Sequence, residues 1–112
     1  MRKPIIYIAH PYSSDPRGNY TKSLAVAVQI LQIGGVPINP LESHIYNELD
    51  PHPYEFWMEN DFQIIKRCDC LYRVHGKSKG ADREVIRVRD CGVPVFYSIP
   101  QIEAFIERFV NS

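Results

Sequence analysis

The chain has 112 residues, enough for one domain (1–112) with a modest buried core. Lys and Arg (13) balance Asp and Glu (13), so the basic excess that a nucleic-acid polymer or an anionic membrane surface would require is missing. There is no apolar run of about 18 residues for a membrane span, and the opening MRKPIIYIAH lacks the long apolar core and cleavage site of a signal peptide.

Cys68, Cys70 and Cys91 are an odd number, in a spacing that fits neither a zinc site nor a redox motif. They read as small buried hydrophobes in a reducing compartment, and the expected location is the cytoplasm.

Residues 4–9 (PIIYIA) are β-branched and aromatic, a short run that suits a buried parallel strand. A polar turn-rich loop, 10–18 (HPYSSDPRG), leads to a helix predicted from Pro16 or Asn19 to Ile33, stopped by Gly34-Gly35. Tyr20, Leu24, Ala27, Val28 and Leu31 share one face at helical spacing, and Val26, Ile30 and Ile33 form a second apolar strip. Two apolar sides predict a subunit contact on this helix.

Val36–Asn39 reads as a second strand. The stretch from Leu41 to Pro53 reads as a long loop over the substrate, carrying His44, Tyr46, Glu48, Asp50 and His52. A helix from about Pro53 to Arg67, a strand over Asp69–Val74, a helix from Gly80 to Cys91 and a strand over Val93–Tyr97 follow. Ser98 with Gln101 makes a capping-box pattern before a last helix that buries Ile102, Phe105, Ile106 and Phe109.

Strands alternating with helices mean an α/β fold: a three-layer αβα sandwich on a short parallel sheet, flavodoxin- or Rossmann-like, with strand order 2-1-3-4. Ligands of such sheets bind beyond the carboxyl ends of the strands. Loops 10–18, 41–52 and 75–80 meet there.

Two acids break the helical pattern. In the second predicted helix Asp61 falls in the middle of the side formed by Tyr54, Trp57, Met58, Phe62, Ile64 and Ile65. In the third, Glu84 lies within the arc of Ala81, Val85, Val88 and Cys91. A cap or a buried ion pair accounts for one such acid. Two, both near the ligand edge, point to a site. Paired carboxylates suit displacement at a sugar carbon, one attacking the anomeric centre and the other protonating the leaving group or positioning the attacking group. The helix dipole and nearby N–H groups are expected to hold Glu84 ionised. The Gly- and Ser-containing turn before it, GKSKG, offers N–H groups to an anion such as phosphate. Lys77 and Lys79 would add positive charge there.

The segments IYIAHPYSS, CDCLYRVHG, SKGADRE and CGVPVFY, in this order, resemble those of the nucleoside 2-deoxyribosyltransferase superfamily. Within it they are similar to the 2'-deoxynucleoside 5'-monophosphate N-glycosidases and to small phage-associated relatives. The resemblance covers most of the chain. It implies Glu84 as nucleophile, Asp61 as acid or base, and Tyr7 as the residue orienting Glu84. It implies Ser78 and Gly80, with Lys79 beside them, as phosphate-binding residues, and Ser13, Ser14 and Arg17 as a loop on sugar or phosphate. It implies no metal or cofactor, a small-molecule nucleoside or nucleotide as partner, and homodimers or higher homo-oligomers with sites near subunit contacts. Where the family has small residues after the glutamate, this chain has Val85, Ile86 and Arg87, and His10-Pro11 departs from the hydrolase pattern.

The expected activity is cleavage of the N-glycosidic bond of a 2'-deoxynucleoside or its 5'-monophosphate, by hydrolysis or by transfer. The alternative from another class is a nucleotide-binding protein of the same fold, sensing or sequestering with little turnover. His44, His52 and His75 read as solvated loop residues, and Trp57 as packing.

Overall fold

The computed structural model describes residues 2–112. Strand β1 (Ile5–Ala9) pairs in parallel with β2 (Val36–Ile38) on one side and β3 (Cys70–Arg73) on the other, and β3 pairs with β4 (Val95–Phe96). The sheet order is therefore β2-β1-β3-β4, as the alternation of elements predicted. The outer strands are short: Pro37 sits within β2 and Pro94 directly precedes β4, and neither can donate to a ladder.

Period-two alternation divides β1 between two apolar layers. Ile6 and Ile8 face α1 (Pro16–Gln32) and α5 (Ile99–Val110), packing with Ile30, Ile102 and Ile106. Tyr7 and Ala9 face α3 (Tyr54–Ile65) and α4 (Lys79–Arg89), packing with Ile65, Ala81, Val85 and Val88. This is the three-layer sandwich. Asp69, just before β3, accepts a 2.7 Å bond from the Ile5 amide and pairs with Arg2 at 2.7 Å. Its carboxylate ties the start of β1 to β3 at the edge away from the loops.

Helix α1 turns a different stripe to the sheet than its leucines indicate. Asn19, Ser23 and Ile30 are buried, with Val26, Ala27 and Ile33 packed alongside. Leu24, Val28 and Leu31 are exposed. The buried polar residues are satisfied locally. The Asn19 amide donates to the Tyr12 carbonyl (3.1 Å) and to Ser14 Oγ (3.2 Å), and Ser23 Oγ accepts from Asn39 Nδ2 (2.8 Å). The flank strip of Val26, Ile30 and Ile33 is thus the core face, and the leucine face points outward.

The expected long loop is mostly helical. A 3-10 turn, Pro40–Glu42, runs into α2 (Ser43–Leu49), none of whose residues is buried. Asn39 starts this segment by accepting from the Leu41 amide (3.2 Å). Strand β4 is shorter than expected, and Cys91 is exposed rather than buried, while Cys70 is in the core. Among the described residues, no helix is long and apolar enough to cross a membrane.

Candidate active site

Beyond the carboxyl ends of β1 and β3 lies a cavity of about 1240 Å³. Its walls come from the loop after β1, the middle of α1, α2, the first half of α3 and the loop entering α4. Both Asp61 and Glu84 line it.

Tyr7 brings these acids together from below. It is fully buried on β1, and its hydroxyl donates a short hydrogen bond to Glu84 Oε2. Burial raises the pKa of Asp61, and Asn60 first and the Tyr7 hydroxyl second oppose that rise. Asp61 Oδ1 is buried and accepts no hydrogen bond from the protein among the described residues. That open acceptor beside a cavity wall is the kind of buried polar atom that needs a partner.

Burial dominates the ionisation of both acids. It pushes Glu84 up to about 8, with the nearby Asp61 charge adding to the rise and Tyr7 and Arg73 opposing it. It pushes Asp61 up to about 7. Between those values the pair holds one proton. The expectation that the helix would keep Glu84 ionised fails for a geometric reason. Glu84 is the sixth residue of α4, its carboxyl meets Tyr7 rather than the N–H groups of the first turn, and the dipole effect fades within that turn. Tyr7 itself is raised by burial and by the two acids, so it stays a donor.

The wall beside Glu84 is the start of α4. Ser78 is its N-cap, and its Oγ accepts from the Ala81 amide at 3.1 Å. The Lys79 and Gly80 N–H groups, the first two of the helix, have no acceptor among the described residues, as helix geometry requires. A side chain on Gly80 would approach the Tyr54 hydroxyl to 3.2 Å, so glycine keeps this approach open. Ser78, Lys79, Gly80 and Lys77 all line the cavity, and so do Ser13 and Ser14. Arg17 does not: it is exposed on the first turn of α1 and lies outside the cavity wall.

The opposite wall is α2. His44 lies between the rings of Tyr12 and Tyr20, with centroids at 5.3 and 6.3 Å. Asn47 Oδ1 accepts from Trp57 Nε1 (2.7 Å) and from the His52 amide (2.9 Å). The His52 ring stacks on Phe56 at 3.8 Å. His44, His52 and His75 therefore line the cavity rather than only facing solvent. Trp57 combines packing with a place in the wall.

Sequence reasoning missed several contributors. Buried His10 donates from Nδ1 to the Pro11 carbonyl (2.7 Å) and lines the cavity, as does Asn19, which shapes the first loop. Asn47 and Arg73 were also passed over. Each is a polar residue at a position that the apolar pattern does not mark, and only contact across elements reveals it. Among the described residues, no three His, Cys, Asp or Glu side chains converge as metal ligands.

No protein-family model and no curated protein matches the chain. Solved structures do. A 2-deoxyribosyltransferase from the psychrotolerant bacterium Bacillus psychrosaccharolyticus superposes with a TM-score of 0.65 at 22% identity, over 81% of this chain and 69% of that one. A 2-deoxyribosyltransferase from Leishmania mexicana superposes with a TM-score of 0.64 at 16% identity, over 84% and 63%. At these identities the likeness establishes a shared fold, and the chain spans about two thirds of the length of these neighbours.

Proposed function

We propose that the protein breaks the N-glycosidic bond of a 2'-deoxynucleoside or its 5'-monophosphate, as an N-glycosidase or a deoxyribosyltransferase. One observation carries this reading: the buried Glu84 carboxyl, held by the Tyr7 hydroxyl, and the half-buried Asp61 carboxyl both line one cavity of nucleoside size or larger. The solved 2-deoxyribosyltransferases of the same fold support it.

In this mechanism Glu84 Oε attacks C1' as the C1'–N bond breaks, and the bonding pair leaves with the base. Asp61 delivers the proton that neutralises the departing nitrogen. A water molecule, or the nitrogen of an incoming base, then attacks C1' and gives its proton to Asp61, releasing Glu84. With Glu84 raised to about 8 and Asp61 to about 7, the single proton of the pair rests mainly on Glu84; the competent arrangement is its tautomer, with the proton on Asp61 and Glu84 ionised. Tyr7 donates to Glu84 and so stabilises that ionised form.

The start of α4 is the place for a 5'-phosphate. Ser78 Oγ keeps its own O–H to donate, beside the Lys79 and Gly80 N–H groups, with the Lys77 and Lys79 charges nearby. Ser13 and Ser14, on the loop after β1, line the same cavity and would hold sugar or phosphate. The outward leucine face of α1 serves as contact for a second copy of the chain.

The test is free-base release from a panel of deoxynucleosides and their 5'-monophosphates. Glu84→Gln is expected to lower it by at least about 10³-fold, and Asp61→Asn by about 10²–10⁴-fold. The binding-protein alternative predicts saturable binding with no base released by the wild type.

A further inference from the structure

Arg73 ends β3 on the α3–α4 face and is only 8% exposed. A buried guanidinium is tolerated only where its donors are used, and here four donor interactions go to one stretch of chain. Arg73 donates to the Val74 carbonyl and, from Nη2, to the Gly76 carbonyl at 2.7 Å. Nε and Nη2 both reach Asp82 Oδ1, at 3.2 and 3.0 Å. These contacts lie on both sides of Ser78, Lys79 and Gly80, two before them and one after.

The strap extends further through Gly76. Its φ is +131°, and an added Cβ would lie 2.7 Å from Pro11 Cγ. The carbonyl that Arg73 holds thus belongs to a residue seated on Pro11, whose own carbonyl accepts from His10. One side chain fixes the turn into α4 and, through it, the loop after β1. Both are cavity walls. Arg73 itself lines a smaller cleft of about 520 Å³ and not the main cavity, so it acts on a ligand through the turn it holds and on Glu84 through its charge, which a lysine at this position retains.

We propose that Arg73 is a positioning residue for substrate selection. By fixing the 74–78 turn it holds the Ser78 hydroxyl and the Lys79 and Gly80 amides at the spacing of a 5'-phosphate. It thereby favours the phosphorylated nucleoside over the free one. This rests on the nucleoside reading above and deepens it by choosing the substrate class.

Arg73→Lys and Asp82→Asn are the variants. Lysine keeps the charge but loses the planar fork. Asp82 is a surface residue, its side chain 66% exposed, so its replacement leaves the fold intact. Two readouts are taken on the full chain: amide exchange over 74–82, and kinetics on each deoxynucleoside and its 5'-monophosphate. Exchange over 74–82 is expected to rise by about tenfold while β1 and α5 stay unchanged. KM for the monophosphate is expected to rise by about tenfold with kcat within about twofold, and KM for the nucleoside to stay within about twofold. Unchanged exchange, or an equal rise in KM for both substrates, overturns the proposal. Where the wild type releases no base at all, the nucleoside reading falls, and the same comparison is made by calorimetric titration with the monophosphate and the nucleoside. A wild-type preference for the monophosphate that is lost in Arg73→Lys then supports the strap. A preference that is absent, or kept by both variants, overturns it.

Discussion

Glu84 and Asp61 are ordinary carboxyls that the fold keeps protonated well above their usual range, to about 8 and about 7. The native state therefore binds protons more tightly than the unfolded chain. The stability this contributes is fully present below the unfolded carboxylate values near 4 and is lost as pH rises through 7 and 8. The melting temperature should fall from pH 5 to pH 9, and the double variant Glu84→Gln, Asp61→Asn should flatten that fall. An unchanged slope in the double variant would mean that the pair is not the source. Base release should follow a bell with limbs near the same two values, because only the one-proton pair is competent. Asp61→Asn should remove a limb. That these two acids share one cavity wall was legible from their places on apolar helix faces. Their ionisation was not, because it depends first on burial by elements distant in sequence and then on Tyr7 approaching from β1.

Helix α2 is the element least visible in the sequence. It has no buried residue, so its pattern carries no stripe, and turn-forming residues on either side make it read as loop. What holds it is Asn47, through Trp57 and His52. Asn47→Ala should leave the indole N–H without its partner and cost about 1–3 kcal/mol in a denaturant titration. It should also raise KM several-fold by loosening the cavity wall, and a KM equal to wild type would show that α2 does not shape the site. Helix α1 teaches the reverse lesson. Its leucines mark an outward face, while Asn19 and Ser23 face the sheet because loop carbonyls and Asn39 satisfy them there. Apolar periodicity cannot separate a core face from an exposed one when polar residues have such partners.

At the scale of the molecule, strand order and layering followed from alternating elements and short apolar runs, since parallel crossovers leave few arrangements. The site followed in outline, because such sheets gather their loops at one edge. The straps within it did not, since Arg73 and Asn47 act between segments that sequence spacing does not connect. The outward face of Leu24, Val28 and Leu31 is expected to bury itself against a second copy. Val28→Glu should shift the mass measured by light scattering toward the monomer, whereas a wild type that is already monomeric would remove this part of the account.

In the proposed reaction Glu84 forms and releases a bond to C1'. Its most direct test is chromatographic measurement of free base from the deoxynucleoside and monophosphate panel, comparing wild type with Glu84→Gln at pH 7.5. Wild type should yield base and sugar product in equal amounts, and release should be slower by at least about 10³-fold in the variant. Wild-type rates in Glu84→Gln, or saturable binding by the wild type with no base from any substrate, would contradict it.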